Sequence, residues 1–178
     1  GTLKCDDDAG IYIYEEEFLI GVDHGEKRAL KGIICLVRVE DFDAGVVLPH
    51  EETLSKAKQD RFNLMQATNC NFSQIYSLYM DETGETRRRI DHLSSGTPRY
   101  EFSDGLVTHR LWIVNDAVAI EAFRSDFAAR RLYIADGHHR YETAINYRNY
   151  CRENAVWAPG SEFVMMMLVD MENPGLVV

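Results

Sequence analysis

The stretch Tyr133-Ile134-Ala135-Asp136-Gly137-His138-His139-Arg140-Tyr141-Glu142-Thr143-Ala144 constrains this chain more than any other. An apolar run from Leu132 to Ala135 stops at Asp136-Gly137, two histidines and an arginine follow, and residues with helical apolar spacing take over. That order predicts a strand, a tight turn and a helix. The backbone N–H groups of a helix's first turn have no intrahelical partner and lie at the positive end of its dipole. With Arg140 and two imidazoles beside them they make a site for an anion, phosphate above all. Taken alone, Asp-Gly reads as a hairpin-like turn carrying surface histidines; the attached His-His-Arg turns the reading toward function.

The 178 residues suffice for one well-packed domain, and residues 1–178 are expected to form a single α+β domain. A net charge of −10 makes nucleic acid an unsuitable partner, because sequence-independent binding needs clustered Lys and Arg. The basic run Arg87-Arg88-Arg89 follows Asp81-Glu82-Thr83-Gly84-Glu85 and reads as a solvated hairpin tip. Cys5, Cys35, Cys70 and Cys151 are scattered without Cys-x-x-Cys spacing, which disfavours zinc and points to free thiols in a reducing cytoplasm. No apolar stretch approaches the ~20 residues that span a bilayer, so a cytoplasmic protein without membrane contact is expected.

Along the chain, Ile11-Tyr12-Ile13-Tyr14, a second stretch with Phe18, Leu19, Ile20 and Val22, and the apolar run within Ala29 to Val39 read as strands of an antiparallel meander. Further strands are expected within Phe72 to Met80, at Tyr100 to Phe102, from Leu106 to Val114, at Leu132 and over Phe163 to Val169. The pair around Ser103-Asp104-Gly105 forms a hairpin. Helices are expected over Glu51 to Gln66, Ala117 to Ala129 and Arg140 to Asn154. Met165-Met166-Met167 fits core filling. The fold class is α+β, a mixed and largely antiparallel sheet flanked by a few helices.

A second cluster of functional side chains lies at His50-Glu51-Glu52-Thr53, followed by Lys58, Asp60 and Arg61. With a helix beginning here, Thr53 and Arg61, eight apart, and Glu51 and Lys58, seven apart, would share a face. An ordinary surface helix with ion pairs satisfies the same spacing. The two clusters gain meaning together: phosphoryl transfer needs an anion clamp, which Asp136, Gly137, His138, His139 and Arg140 can supply, and a carboxylate base, for which Glu51 is the candidate. No metal site is expected, since adjacent His138 and His139 do not aim at one ion and no third ligand is marked by spacing. Histidines near neutrality can protonate against a phosphate, which would make binding pH-dependent. P-loop, Gly-x-Gly-x-x-Gly and Gly-x-Ser-x-Gly motifs are all missing.

These residues resemble a widespread prokaryotic family catalogued as domain of unknown function ten-fifteen. The likeness takes in Ile134 to Ala144, Gly32 with the strand after it, His50-Glu51-x-Thr53 with Lys58 and Asp60-Arg61, and His109-x-Leu111-Trp112, and it covers nearly the whole chain. Family members are longer, which implies that this chain is the central segment of a longer protein. Asp136-Gly137-His138-His139-Arg140 is in turn similar to the signature of the ParB and sulfiredoxin superfamily, which implies a ParB/sulfiredoxin-like core with Gly137 to Arg140 gripping nucleotide phosphates. Sulfiredoxin has its catalytic cysteine where this chain has His138. Partition proteins carry Glu-Arg in place of His138-His139 and add a DNA-binding helix-turn-helix. Free-serine kinases keep Asp-Gly-His-His-Arg and use an upstream glutamate as base, and by order along the chain that glutamate corresponds to Glu51.

The expected function is therefore a nucleotide- or phosphate-binding domain, a Mg²⁺-dependent phosphotransferase or hydrolase acting on ATP or ADP. Glu51 and His139 are the catalytic candidates, Asp136 to Arg140 bind phosphate, and His50, Thr53, Lys58, Asp60, Arg61, Glu142 and Thr143 give support. A nucleotide-sensing module without turnover is the alternative, and a stiff structural junction the third reading. The phosphate acceptor, the nucleotide base and the oligomeric state are not encoded in any motif.

Overall fold

The computed structural model describes residues 6–21, 25–51 and 55–177, with the backbone alone for residues 55–58. Its elements in chain order are β1 (Ile11–Ile20), β2 (Glu26–Arg38), β3 (Val47–Leu48), α1 (Ser55–Thr68), β4 (Ile75–Tyr79), α2 (Glu85–Leu93), β5 (Tyr100–Ser103), β6 (Val107–Val114), α3 (Ala117–Phe127), β7 (Leu132–Asp136), α4 (His138–Glu153) and β8 (Phe163–Asp170). Short 3₁₀ turns occupy Phe42–Ala44 and Pro159–Glu162. The chain divides into two compact units, Gly1–Ile33 with Asp81–Ala129 and Glu172–Val178, and Ile34–Met80 with Arg130–Met171.

In the first unit the strand order is β2-β1-β6-β5. Strand β1 pairs antiparallel with β6 from Ile11↔Val114 to Phe18↔Val107, and β6 turns back on β5 from Ser103↔Thr108 to Tyr100↔Leu111. The two expected strands near the N-terminus are thus one. Its Glu15-Glu16-Glu17 run is tolerated inside a strand because cations meet it: Glu15 lies 2.8 Å from Arg110 and 3.1 Å from Lys31, and Glu17 lies 2.7 Å from Lys27. A second correction concerns Arg87-Arg88-Arg89, which belong to α2 and not to a hairpin tip. Gly84, at φ 68°, lets the chain enter that helix, the Asp81 carboxylate accepts the Arg87 N–H at 2.9 Å, and Thr86 and Ile90 are buried. Asp126 of α3 accepts from Thr86 at 3.1 Å and from Arg89 at 3.2 Å. Helix α3 is capped by Asp116, which accepts from the Ala119 N–H at 2.8 Å.

The second unit orders its strands β3-β7-β4-β8-β2 and is mixed: β3 with β7 and β4 with β8 are parallel, β4 with β7 antiparallel. Val47, Ile75, Ile134, Met166 and Leu168 are its buried apolar centre, and the Met166-Met167 pair fills core as expected. Helix α1 packs its Phe62 ring 6.2 Å from Tyr147 and 5.6 Å from Tyr150 of α4. The far end of α4 is anchored by buried Arg148, which donates to the Val39 carbonyl and the Asp41 carboxylate, each at 2.7 Å. Tyr141 is fully buried, and its hydroxyl exchanges hydrogen bonds with the backbone of Glu40 at 2.8 and 3.0 Å. Burial pushes its phenol up to about 12. Helix α4 is therefore fixed along its length, and its first turn is presented from a rigid support.

Helix α1 begins at Ser55 among the described residues, so Glu51 precedes it and the shared-face spacing of Glu51 and Lys58 does not arise. Thr53 lies outside the described residues, as does the side chain of Lys58. Among the described residues no helix is long and apolar enough to cross a membrane.

Candidate functional site at the start of helix α4

Strand β7 ends at Asp136, and Gly137 turns the chain at φ 100°, ψ 26° directly into α4. Only glycine takes this conformation without strain. Its lack of a side chain also leaves the first turn of α4 without a side-chain cap, so its amides have no side-chain partner from the cap position.

Two registers decide what surrounds this turn. Strands β3 and β7 are parallel with Leu48↔Tyr133, so the segment after β3 and the turn after β7 leave the sheet at the same end. That delivers Pro49-His50-Glu51 to the start of α4. Strand β4 runs antiparallel to β7 with Tyr76↔Asp136, so the residues before β4 come to the same place. Ser73 and Gln74 are thereby set beside Arg140.

His138, the first residue of α4, is 2% exposed and is gripped from two sides. Its Nε2 accepts from the His50 N–H at 3.3 Å, which places the proton on Nδ1, and Nδ1 donates to Oε1 of Glu51 at 3.0 Å. The His50 ring stands edge-on to it at 4.4 Å between centroids, and its own Nδ1 donates to the Ile134 carbonyl at 2.8 Å. Burial and then His50 lower the pKa of His138, against the upward pull of Glu51, Asp136 and Glu142. His138 is accordingly neutral at pH 7, the reverse of the cationic phosphate partner that a histidine next to an anion site suggests.

Arg140 folds back over Gly137 and donates to the Asp136 carboxylate, to the Gln74 carbonyl and, at 3.0 Å, to the Ser73 hydroxyl. A Cβ built on Gly137 would lie 2.9 Å from Nε of Arg140. The guanidinium is thus a staple between the end of β7 and the segment before β4. It also borders a small cleft of about 60 Å³, shared with Arg61 and Met65 of α1, Phe72, Ser73 and Thr143.

Of the remaining candidates, His139 has a buried Nδ1 without a hydrogen-bond partner among the described residues. Thr143 is buried, and its hydroxyl donates to the His139 carbonyl at 2.6 Å, so it stiffens the first turn. Asp60 and Arg61 are exposed on α1. The structure brings together His50, Glu51 and the Asp136 to Arg140 turn. Sequence reasoning missed Ser73 and Gln74, whose part is set by strand register and leaves no local mark.

A family model described as "Protein of unknown function (DUF1015)" matches residues 1–178, and the chain belongs to that family. No curated protein and no solved structure matches it.

Proposed function

We propose that the first turn of α4 is a phosphate-binding site and that the domain is a kinase-like phosphotransferase, or a nucleotide hydrolase, using ATP or ADP. The observation that carries this reading is the position of Glu51, whose carboxylate stands 3.0 Å from the first side chain of α4 and is half-exposed. An anion on the uncapped amides of Gly137 to Arg140 would have a carboxylate within reach. The similarity of Asp136-Gly137-His138-His139-Arg140 to the ParB and sulfiredoxin signature supports the same reading, as does its likeness to free-serine kinases.

In this reading the amides and Arg140 hold the transferred phosphoryl group, and His139 donates to its oxygens. Glu51 takes the proton of the acceptor hydroxyl as that oxygen bonds to phosphorus and the bond to the leaving phosphate breaks. The Nδ1–H of His138 orients the base. Magnesium would accompany the nucleotide. It takes oxygen ligands, whereas the donors grouped here are two imidazoles and one carboxylate, a set that does not fit it, and no step is assigned to that ion.

The test is Glu51→Gln, which keeps size and hydrogen bonding but removes the base. Turnover of ATP or ADP with hydroxyl acceptors is expected to fall by roughly two to four orders of magnitude while nucleotide affinity stays nearly unchanged. A wild-type chain that binds neither phosphate nor nucleotide by calorimetry overturns the reading. A second reading, a nucleotide-sensing module without turnover, is favoured by the engagement of Arg140 with Asp136, Ser73 and Gln74, which makes it a structural tie before any ligand arrives. Binding with no turnover in the wild type would select it.

A further inference from the structure

His50, Glu51 and His138 each offer one ligand atom, and the three atoms lie within 4.8 Å of one another. Two belong to the segment after β3 and the third to the first residue of α4, so the grouping exists only because β3 and β7 are parallel. We propose that these three side chains bind a divalent transition ion of the zinc type.

The chemistry of the donors selects the ion. Two imidazole nitrogens and one carboxylate oxygen suit zinc and its neighbours in the first transition row, not magnesium or calcium. With bonds of about 2.0–2.2 Å, tetrahedral ligands stand roughly 3.3–3.6 Å apart. The Glu51 to His138 separation of 3.0 Å is already close to that spacing. The rest of the closure falls to His50 and Glu51, both exposed, while His138 is held in the wall.

The surroundings are also those of a ligating histidine. The Nδ1–H of His50 is tied to the Ile134 carbonyl, which fixes the ring and leaves Nε2 as its lone-pair nitrogen. Three protein ligands with two of them exposed leave a fourth position open to water or to an anion. Two effects oppose the ion. The start of α4 is the positive end of a helix dipole, a repulsion that the Glu51 charge offsets. Coordination through Nδ1 of His138 also moves that ring's proton to Nε2, which breaks its 3.3 Å contact with the His50 N–H. At that length the bond lost is a weak one.

Glu51 is shared with the phosphate reading, but the ion does not depend on it. A carboxylate engaged through Oε1 is a poorer base, so bound zinc is expected to slow phosphoryl transfer, not to assist it.

The experiment titrates Zn²⁺ alone, without phosphate or nucleotide, into chelator-treated protein and reads binding by calorimetry. One equivalent is expected to bind. His50→Ala and Glu51→Gln, both at exposed positions, should each weaken binding at least tenfold with an unchanged far-ultraviolet circular-dichroism spectrum, while His92→Ala should not. On adding Zn²⁺ the ¹⁵N signals of His138 should change from the Nδ1–H to the Nε2–H tautomer, which tests that ligand without removing a buried side chain. No binding, equal affinity in both variants, or His138 signals that ignore zinc would each overturn the proposal. Because no phosphate is present, failure here is distinct from failure of the phosphate site.

Discussion

The Glu51 carboxylate and the His138 imidazole meet at 3.0 Å, one after a two-residue strand and the other at the first turn of a sixteen-residue helix. His50 completes the arrangement by donating its N–H to the far nitrogen of the same ring. One buried imidazole therefore carries a carboxylate on one side and a backbone amide on the other. This defines its tautomer and places a negative charge beside a helix start whose amides have no side-chain cap.

Replacing Arg140 by alanine is expected to act twice. Loss of its bonds to Asp136, Ser73 and Gln74 should lower the unfolding free energy by about 1–3 kcal/mol, the scale for a partly buried charged donor. Phosphate or nucleotide affinity should weaken by about 1.5–3 kcal/mol as a charge-assisted bond is removed. Urea denaturation and calorimetry measure the two separately. Unchanged affinity would remove Arg140 from the anion site and leave it as a staple.

Gly137→Ala should destabilise the chain by about 1–3 kcal/mol, because φ 100° is strained for any residue with a Cβ. The added methyl group also meets the Arg140 guanidinium at about 3 Å, and that group is held by three partners. A thermal midpoint equal to the wild type would show that the turn can relax.

His138 has a depressed pKa, so between its folded value and the ordinary ~6.5 the unfolded chain binds more protons than the folded one. The stability contributed by this residue is thus complete above pH 6.5 and is lost as pH falls through the folded value. In chelator-treated protein, proton NMR of the His138 ring should show a titration midpoint below 6.5. A midpoint above it would mean that the Glu51 contact outweighs burial.

Among the described cysteines, Cys70 is exposed, Cys35 half-buried and Cys151 buried, and desolvation pushes the Cys35 thiol up to about 12. Iodoacetamide at pH 8 should modify Cys70 well before the other two, as read by peptide mapping. Faster labelling of Cys35 would contradict its raised thiol pKa.

Much of the fold was readable where local signals suffice. Helices α3 and α4 lie within two residues of the expected bounds, and the hairpin across Asp104-Gly105 forms as its turn residues require. Where expectation failed, distant residues had the deciding influence. Two expected stretches near the N-terminus join into one strand because Arg110, Lys27 and Lys31 come alongside Glu15 and Glu17 between them. Helix α2 was hidden because its capping carboxylate and its partner Asp126 lie outside its own sequence.

The same division runs through the candidate site. The sequence by itself determined the turn from Asp136 to Arg140, because a strand, a left-handed glycine and a helix start are local conformational preferences that neighbouring residues satisfy unaided. Only the tertiary structure decided that His50 and Glu51 stand over that turn, and that Ser73 and Gln74 tie down Arg140. Those placements follow from the parallel register Leu48↔Tyr133 and the antiparallel register Tyr76↔Asp136. A two-residue strand has no periodicity of its own to read, and its register is set by the strand it pairs with.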